Sequence, residues 1–292
     1  VMELGLVGQK DNPRARSLVE AIRMDLQDED VSIVVDEVTA AALADDRHDT
    51  YGGVATPELD PPASVSIEEI DDTDLIVSIG GDGTFLYAAR GANGTPIMGV
   101  NLGEVGFLNA VSPNDAIDAI RDVVTDIQED GETPTRDLPR LQVSGDGWEL
   151  PPALNEVVIQ GPQRGHGNGV GTTVRIDDAL YTSGHADGVL IATPTGSTAY
   201  NLSEDGPLVH PAVPVFVVTE MAAERPMPPL VVDEDTTITV RVEDAETASI
   251  VSDGRTTEEI EPPAQITVEQ ADQPVHVAGP PLEFFTALGK LE

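Results

Sequence analysis

A glycine-rich segment with one carboxylate follows the most continuous apolar run of the chain. Leu75 to Ile79 leads directly into Gly80-Gly81-Asp82-Gly83-Thr84. Glycines let a ligand approach the backbone amides, and a helix beginning here would direct free N–H groups toward an anion. Asp82 cannot bind phosphate itself, so its chemical use is to hold a cation or to accept a proton; the alternative is a simple helix cap. The segment fits neither a Walker A loop nor Gly-x-Gly-x-x-Gly.

A second glycine-containing segment, residues 101–109, follows the next predicted strand. It begins Asn101-Leu102-Gly103 and ends Gly106-Phe107-Leu108-Asn109. Ligands of open parallel sheets bind at the carboxyl ends of the strands, so both segments are predicted to lie at a ligand site. Phe107 is predicted either to stack on a nucleobase or to fill the junction between two domains.

Hydroxyl side chains are concentrated in a third segment, residues 187–203. An apolar strand pattern at Val189 to Ala192 leads into Thr193-Pro194-Thr195-Gly196-Ser197-Thr198-Ala199-Tyr200. Such hydroxyls suit hydrogen bonds to ribose, amide and phosphate oxygens. The alternative is a Thr/Ser-rich turn that only caps a helix.

Alternating strand and helix patterns position the first two segments. Strand patterns at Met2–Val7, Val31–Val35, Leu75–Ile79 and Pro96–Val100 alternate with helical stripes that follow Asn12-Pro13 and Ser112-Pro113. Residues 46–66 are polar and rich in Gly and Pro, which predicts a loop. Such βα units predict an α/β domain over residues 1–133 with a doubly wound, Rossmann-like parallel sheet.

The pattern changes after residue 134. Short strand-like runs punctuated by Gly, Pro and Asp predict a β-rich domain over residues 134–272, which contains the third segment. Helical spacing returns at Leu282 to Leu288 with two of the five phenylalanines. An amphipathic helix needs a partner surface, so the tail, residues 273–292, is predicted to return to the first domain and pack there.

The charge of the chain restricts its partners. It has 53 acidic and 15 basic residues, a formal net charge of -38, and lysine only at Lys10 and Lys290. Such a surface repels phosphate backbones and anionic lipids, so neither nucleic acid nor a membrane is an expected partner. Self-repulsion of this size predicts a protein suited to molar salt, as in salt-accumulating halophiles. An ordinary acidic protein is the alternative.

The composition also excludes several chemistries. The chain has no cysteine, which rules out disulfides, thiol catalysis and Cys-ligated zinc. Its five histidines show no short metal-ligand spacing. No apolar run has the length of a membrane span and no signal peptide is recognised, so we expect a cytoplasmic protein.

In their order along the chain, these motifs resemble those of NAD kinases. The Gly-Gly-Asp-Gly-Thr motif alone is shared with lipid kinases and phosphofructokinases, whereas Thr-Pro-Thr-Gly-Ser-Thr-Ala-Tyr is far more selective. The resemblance covers most of residues 75–290. It also includes Asn155-Glu156, Gly206-Pro207, His210-Pro211, Thr219-Glu220-Met221-Ala222 and Phe284-Phe285.

The resemblance implies transfer of a phosphoryl group from ATP or polyphosphate to the 2′-hydroxyl of the adenosine ribose of NAD, which makes NADP. It implies that Asp82 is the base or metal-linked carboxylate, that Asn155 and Glu156 hold the adenosine side, and that Asp187 faces the nicotinamide end. The phosphate donor would meet Gly80, Gly81, Gly83 and Thr84. The other positions implied to line NAD are Gly83, Leu86, Phe107, His166, His185, Thr195, Thr198, Ala199, Tyr200, Asn201, Leu202, Ser203 and Ala222.

The implied cofactor is a divalent cation, Mg²⁺, held through phosphates and by Asp82 rather than by a site made of protein alone. A homo-oligomer, dimer or tetramer, is also implied. The chain departs from the family pattern at Glu204-Asp205, where relatives usually have paired glycines, and at Arg255, where they often have Gln. His166 and His185 stand where relatives often carry arginine.

Two alternative functions come from other classes. A lipid kinase would share the glycine-Asp motif, but the Thr-Ala-Tyr motif and the lack of a membrane-binding feature speak against it. A non-catalytic dinucleotide-binding regulator on the same fold would bind NAD without turnover, and the intact Asp82 argues against it.

Overall fold

The computed structural model describes residues 2–44, 60–103, 106–163 and 169–289. Their contacts divide the chain into two compact units. Unit 1 comprises Val1–Asp137 and Val275–Glu292, and unit 2 comprises Leu138–Pro274. The bounds 1–133, 134–272 and 273–292 stay predictions of the domain organisation.

Strands and helices alternate in the N-terminal segment of unit 1. Asn12 caps the first helix by accepting a hydrogen bond from the Arg14 amide at 3.0 Å, and Pro13 is its first residue. The elements are β1 (Met2–Gly8), α1 (Pro13–Asp25), β2 (Val31–Asp36), α2 (Glu37–Ala44), β3 (Ala63–Val65), a 3-10 helix (Ile67–Asp72), β4 (Leu75–Gly80), α3 (Asp82–Gly91), β5 (Ile97–Asn101), α4 (Ala116–Asp130) and β6 (Thr135–Leu138).

The prediction of a loop over residues 46–66 is wrong for the last part of this segment. Residues 45–59 lie outside the described residues, but Ala63–Val65 forms β3 and pairs in parallel with β2, with Val34 opposite Ala63. This pairing gives the backbone of Ala63–Val65 hydrogen-bond partners, although the composition of the segment predicts a loop. The strand is short and lies at the edge of the sheet, where polar residues are tolerated. Helix α4 begins at Ala116, later than the predicted start at Ser112-Pro113.

Unit 2 consists of two six-stranded antiparallel sheets whose inner faces form its core, with Leu141, Val157, Val240 and Ile250 fully buried. Alternating burial along β10 and β18 is typical of strands with one face on the core. The elements are β7 (Leu141–Gly145), β8 (Trp148–Ala153), β9 (Glu156–Gln160), β10 (Val170–Ile176), β11 (Ala179–Ala186), β12 (Gly188–Ala192), a 3-10 helix (Thr195–Thr198), α5 (Tyr200–Ser203), β13 (Val215–Met221), β14 (Leu230–Asp233), β15 (Ile238–Glu243), β16 (Ala248–Ser252), β17 (Thr256–Ile260) and β18 (Ala264–Gln270).

The end of the chain returns to unit 1. Strand β19 (Val275–Ala278) joins the sheet beside β5, with Val277 opposite Ile97, and helix α6 (Phe284–Leu288) follows. The sheet order is β3-β2-β1-β4-β5-β19-β6. The predicted fold class is confirmed: an α/β unit with a parallel sheet, a β-rich second unit, and a tail helix that returns to the first.

The parallel register brings functional segments to one edge of the unit 1 sheet. Strands β1, β2, β4 and β5 all run in the same direction, so their carboxyl ends meet there. Asp82 directly follows β4, and the segment from Asn101 to Asn109 follows β5. In unit 2, β9 and β12 are antiparallel neighbours, with Glu156 opposite Ala192, so Asn155-Glu156 lies beside the start of the hydroxyl-rich segment.

Candidate functional site

Asp82 is held by three donors from the segment after β5. Its Oδ2 accepts a hydrogen bond from the Phe107 amide at 2.9 Å, and its Oδ1 accepts from the Leu108 amide and from Asn109 Nδ2, both at 3.1 Å. Gly81, not Asp82, is the N-cap of α3 and the helix has no side-chain cap bond. The capping alternative for Asp82 is therefore wrong, because its carboxylate faces the 106–109 loop.

Burial changes the acidity of this carboxylate. Loss of hydration raises the pKa of Asp82 above its ordinary value, and the hydrogen bonds from Phe107, Leu108 and Asn109 oppose the rise without cancelling it. Asp82 is thus a firmly oriented carboxylate with increased proton affinity, which suits a proton acceptor.

Two glycines make this arrangement possible. A Cβ on Gly106 would lie 2.9 Å from Asp82 Oδ1, so a larger residue there would push the 106–109 loop off the carboxylate. A Cβ on Gly80 would lie 2.4 Å from Thr84 Oγ1, at the point where β4 turns into α3. Around Gly81, in contrast, a Cβ would meet nothing within 4 Å, and Gly83 is exposed. Within the predicted donor loop, the space beside Gly81 is therefore open, whereas Gly80 is tightly packed.

Asn109 was not among the predicted site residues. It is 2% exposed, donates to Asp82, and its own Oδ1 has no hydrogen-bond partner. In the sequence, Asn109 is recognisable only as an amide residue that directly follows Gly106-Phe107-Leu108. Neither its spacing nor the composition of the segment indicates that its hydrogen-bond partner is Asp82. Leu86 is half-buried in α3.

Phe107 contacts the returning tail. Its ring centroid lies 6.0 Å from that of Phe284, the first residue of α6, at an interplanar angle of 59°. Both rings belong to unit 1. This contact fixes one face of the 106–109 loop, whose amides hold Asp82.

In unit 2, Asn155 and Glu156 are both buried, at 9% and 7% exposure, where β9 begins. Burial, reinforced by the nearby negative charge of Asp253, raises the pKa of Glu156 to about 7, while the Tyr200 amide stabilises the ionised form. Glu156 Oε2 has no hydrogen-bond partner. A buried acceptor without a partner is costly, so this oxygen is available to a further hydrogen-bond donor.

The hydroxyl-rich segment is braced against Asn155. Thr193 Oγ1 donates to Leu154 O at 2.6 Å and accepts from the Gly196 amide at 3.0 Å. A Cβ on Gly196 would lie 1.9 Å from Asn155 O, so only glycine allows this approach. Thr193 thus stabilises the turn before the 3-10 helix, but it is not the helix cap, because the N-cap is Pro194 and the helix has no side-chain cap bond. Nor does the capping alternative describe Thr195, whose hydroxyl oxygen is buried and has no hydrogen-bond partner.

Other hydroxyl and amide groups of the segment serve the protein itself. Ser197 Oγ exchanges hydrogen bonds with the Val209 backbone, and Thr198 Oγ1 donates to Thr195 O at 3.1 Å. Asn201 is completely buried: its Nδ2 donates to Pro207 O and its Oδ1 accepts from Thr219 Oγ1. The structure therefore gives Asn201 a supporting position. The neighbouring positions Ala199, Tyr200 and Leu202 are half-buried, and Ser203 is exposed.

A separate group of predicted residues lies at the opposite end of β12 from Ala192. The Asp187 amide donates to Met221 O at 2.9 Å, and His185 O accepts from the Glu224 amide at 3.0 Å. Ala222 follows Met221 in an exposed left-handed conformation, φ +46°. The structure brings Asp187, His185 and Ala222 together but not beside Glu156. His166 lies outside the described residues.

The two departures from the family pattern have different local consequences. Asp205 adopts φ +59°, the left-handed region that favours glycine and tolerates Asp, and Glu204 is half-buried beside it. Asp205 thus adopts a left-handed backbone conformation that glycine would also allow. Arg255 is an exposed turn residue whose amide donates to Ser252 O at 3.1 Å.

Metal-ligating side chains are not clustered. Among residues 2–44, 60–103, 106–163 and 169–289, no group of three or more His, Cys, Asp or Glu side chains could hold a metal ion. Across the same stretches no helix combines the length and apolar character needed to cross a membrane.

Comparison with protein families covers both units. Residues 4–127 match the family described as the ATP-NAD kinase N-terminal domain, and residues 154–279 match the ATP-NAD kinase C-terminal domain. An NAD kinase of Haloarcula marismortui is 57% identical over 290 residues, which are 99% of this chain and 100% of the relative. An NAD kinase of Halobacterium salinarum is 50% identical over 299 residues and is covered over its full length.

Solved structures agree with the fold. An NAD kinase from Archaeoglobus fulgidus in complex with ATP is 26% identical, with a TM-score of 0.73 over 99% of this chain and 98% of that one. A yeast NADH kinase complexed with NADH is 21% identical, with a TM-score of 0.84 over 100% of this chain and 87% of that one. The yeast structure supports the fold alone.

Proposed function

The chain belongs to the NAD kinase family, and from that premise we propose which of its residues carry out the reaction. It is an NAD kinase: an enzyme that transfers a phosphoryl group from ATP to the 2′-hydroxyl of the adenosine ribose of NAD. Phosphoryl transfer depends on positioning and on electrostatic stabilisation rather than on covalent catalysis.

We propose Asp82 as the residue that accepts the proton of the ribose 2′-hydroxyl. The observation that carries this proposal is the triple hydrogen bond to its carboxylate from Phe107, Leu108 and Asn109. These donors fix the direction of both oxygens before a substrate arrives, and burial raises the pKa of the carboxyl group toward the working range of a base. Gly80, Gly81, Gly83 and Thr84 are proposed to face the phosphate donor, because the space at Gly81 is open.

Glu156 and Asn155 are proposed to hold the adenosine side of NAD. The partnerless Glu156 Oε2 is an acceptor for a ribose hydroxyl proton, and the buried Thr195 hydroxyl next to this segment is a second group without a partner. Asp187, with His185 and Ala222, is proposed to meet the nicotinamide end. The remaining proposed lining positions are Gly83, Leu86, Phe107, His166, Thr198, Ala199, Tyr200, Asn201, Leu202 and Ser203, with Asn201 acting through its support of the segment.

The family's reaction uses a divalent cation, and we propose Mg²⁺. When bound, such a cation neutralises the developing charge on the transferred phosphate. The residues present fit a cation held mainly by phosphate oxygens: Asp82 offers hard carboxylate oxygens, but both already accept protein N–H groups. Among the described residues, Asp82 belongs to no group of three or more His, Cys, Asp or Glu side chains that could hold a metal ion. A cytoplasmic location and a homo-oligomer, dimer or tetramer, stay predictions.

One assay tests the activity and the choice of donor together. NADP formation is followed from NAD and Mg²⁺ with either ATP or polyphosphate, in 2 M KCl. We expect turnover with ATP, and turnover with polyphosphate would add a second donor. Calorimetric binding of NAD without turnover with either donor would instead support the non-catalytic regulator.

We further propose that the protein is adapted to molar salt. Its net charge of -38 and its two lysines support this, as do relatives from halophilic archaea at 57% and 50% identity. Salt near 1 M shortens the Debye length to about 3 Å and screens the self-repulsion of the surface. We expect activity and the melting temperature to rise steeply between 0.1 M and 2 M KCl. Equal melting temperatures at both concentrations would contradict adaptation to salt.

A further inference from the structure

A single carboxylate, Asp253, holds the backbone from which Asn155 and Glu156 project. It lies in the turn between β16 and β17. Its Oδ2 accepts from the Leu154 amide at 2.8 Å, and its Oδ1 accepts from the Asn155 amide at 2.7 Å and from the Glu156 amide at 3.3 Å. The Asp253 amide in turn donates to Glu156 O at 3.0 Å. Glu156 is thus bonded to Asp253 through both its amide and its carbonyl group.

The turn is shaped to present this carboxylate. Asp253 adopts φ +47°, a left-handed conformation that Asp and Asn adopt more readily than other side chains. Ser252 Oγ donates to Pro151 O at 2.9 Å and anchors the turn to the end of β8. Three successive N–H groups converging on one anion form a concave backbone site of the kind that binds anions. Here the anion belongs to the protein, and it orders the residues that precede β9.

Asp253 also sets the charge around Glu156. The groups that act on the Glu156 carboxylate are the negative Asp253, which favours its protonated form, and the Tyr200 amide, which favours its ionised form. Behind Asp253 is Arg140, 7% exposed, whose Nε donates to Gln273 O at 2.8 Å and whose positive charge interacts with Asp253. Arg140 therefore moderates the negative charge that Glu156 experiences.

We propose that Asp253 is a positioning residue for NAD. By binding the amides of residues 154–156, Asp253 determines where the Glu156 carboxylate lies. By its negative charge, Asp253 determines the pH at which the Glu156 carboxylate accepts hydrogen bonds from the ribose hydroxyls. Asp253 does not contact NAD in this arrangement. The inference rests on the proposed role of Glu156 in NAD binding.

The test is the pH dependence of NAD affinity in Asp253→Asn. Asparagine keeps the left-handed conformation and one acceptor oxygen, but it places an NH₂ group against a backbone N–H and removes the charge. In 2 M KCl, calorimetric titration with NAD between pH 5.5 and 9 should show binding about 3- to 10-fold weaker at pH 8.5. The midpoint of the pH dependence should move about half a pH unit or more below that of the wild type.

Asp177→Asn is the matched control. Asp177 also adopts φ +47° in a turn and accepts a backbone hydrogen bond, from the Thr237 amide at 3.0 Å, but it is exposed and lies between β10 and β11. It should leave both the affinity and the midpoint unchanged. An Asp253→Asn protein with wild-type affinity and a wild-type midpoint would overturn the proposal.

A second variant covers the case in which Asp253→Asn does not fold. Arg140→Gln leaves the carboxylate and its three N–H donors in place but removes the compensating positive charge, so the midpoint should move in the opposite direction, to higher pH. An unmoved midpoint in Arg140→Gln would contradict the proposed electrostatic role. Glu156→Gln distinguishes failure of the proposed role of Glu156 from failure of the proposed role of Asp253. If this variant leaves NAD affinity unchanged, the proposed role of Glu156 itself fails. If it weakens NAD binding while Asp253→Asn does not, only the role of Asp253 fails.

Discussion

The two carboxylates proposed to act on NAD differ in how the protein treats them. Asp82 in unit 1 and Glu156 in unit 2 are each removed from water, and burial raises the pKa of both. Both oxygens of Asp82 accept hydrogen bonds, three in all, from one short loop. Glu156 instead keeps one buried oxygen without a partner; its carboxylate accepts a single backbone hydrogen bond, from Tyr200, and its backbone is clamped by Asp253.

The difference follows from what each group must do. A base has to be oriented before the substrate hydroxyl arrives, so the protein supplies its hydrogen bonds in advance. A binding group gains most when the ligand supplies the missing bond, because an unsatisfied buried acceptor destabilises the free protein. Asp82 is therefore expected to govern turnover, and Glu156 to govern affinity.

Asp82→Asn should give the largest effect. An amide cannot accept the hydroxyl proton, and general-base catalysis typically contributes about 10²- to 10⁴-fold, so kcat should fall by that factor while the NAD dissociation constant changes little. Steady-state kinetics and calorimetry measure the two quantities. Asp74→Asn is the control, because Asp74 is exposed before β4 and its side chain accepts from the Glu3 amide at 2.7 Å. A variant that keeps more than half of its activity would remove Asp82 from the chemistry.

Protonation of Glu156 should make its contribution to stability depend on pH. The pKa of Glu156 is raised from 4.5 in the unfolded chain to about 7, so the folded state binds the proton more tightly. The stabilisation is fully present below pH 4.5 and is lost as the pH rises through about 7, a difference of at most about 3 kcal/mol. The melting temperature of the wild type relative to Glu156→Gln should therefore fall across this interval in 2 M KCl. A constant difference from pH 4.5 to 8 would mean that Glu156 ionises normally.

Glu156→Gln should also weaken NAD binding by about 10- to 150-fold at pH 8.5, because a hydrogen bond to a charged group contributes about 1.5–3 kcal/mol. Affinity for the phosphate donor alone should stay near that of the wild type. Glu259→Gln, an exposed glutamate on β17 of the same sheet, is the control. Unchanged NAD affinity in Glu156→Gln would break the proposed division between turnover and affinity.

Asn109→Ala should have the smallest effect, and it tests whether the 106–109 loop influences turnover through Asp82. It removes one of the three donors to Asp82 and leaves the amides of Phe107 and Leu108 in place, so kcat should fall about 3- to 10-fold with NAD affinity retained. Asn93→Gly is the control: Asn93 Nδ2 donates to Asp71 at 2.8 Å, and its φ of +40° suits glycine. If Asn109→Ala changes NAD affinity but not kcat, the loop does not act through Asp82.

Local periodicity in the sequence is enough to predict the strands and helices of both units. The continuous apolar run before Gly80 indicated a buried parallel strand, and the change from βα units to short punctuated strands indicated the two kinds of unit. Composition is less informative at the edge of the sheet: it predicts a loop where β3 forms, because an edge strand can carry the same polar residues as a loop. The motif order also predicts Asp82, Asn155 and Glu156 as site residues, and both that prediction and their roles stay proposals.

The partners that surround these groups come from distant parts of the chain and depend on how it folds. Asn109 reaches Asp82 across 27 residues of sequence, and Asp253 reaches Leu154 across 99. Such bonds depend on which strands are neighbours in a sheet, because pairing of β9 with β16 is what brings the Asp253 turn beside residues 154–156. No local pattern encodes that adjacency. Glu156 becomes buried only once the sheets of unit 2 have packed. This burial raises the pKa of Glu156 and leaves its Oε2 without a partner, so the chemistry of this glutamate is a property of the fold.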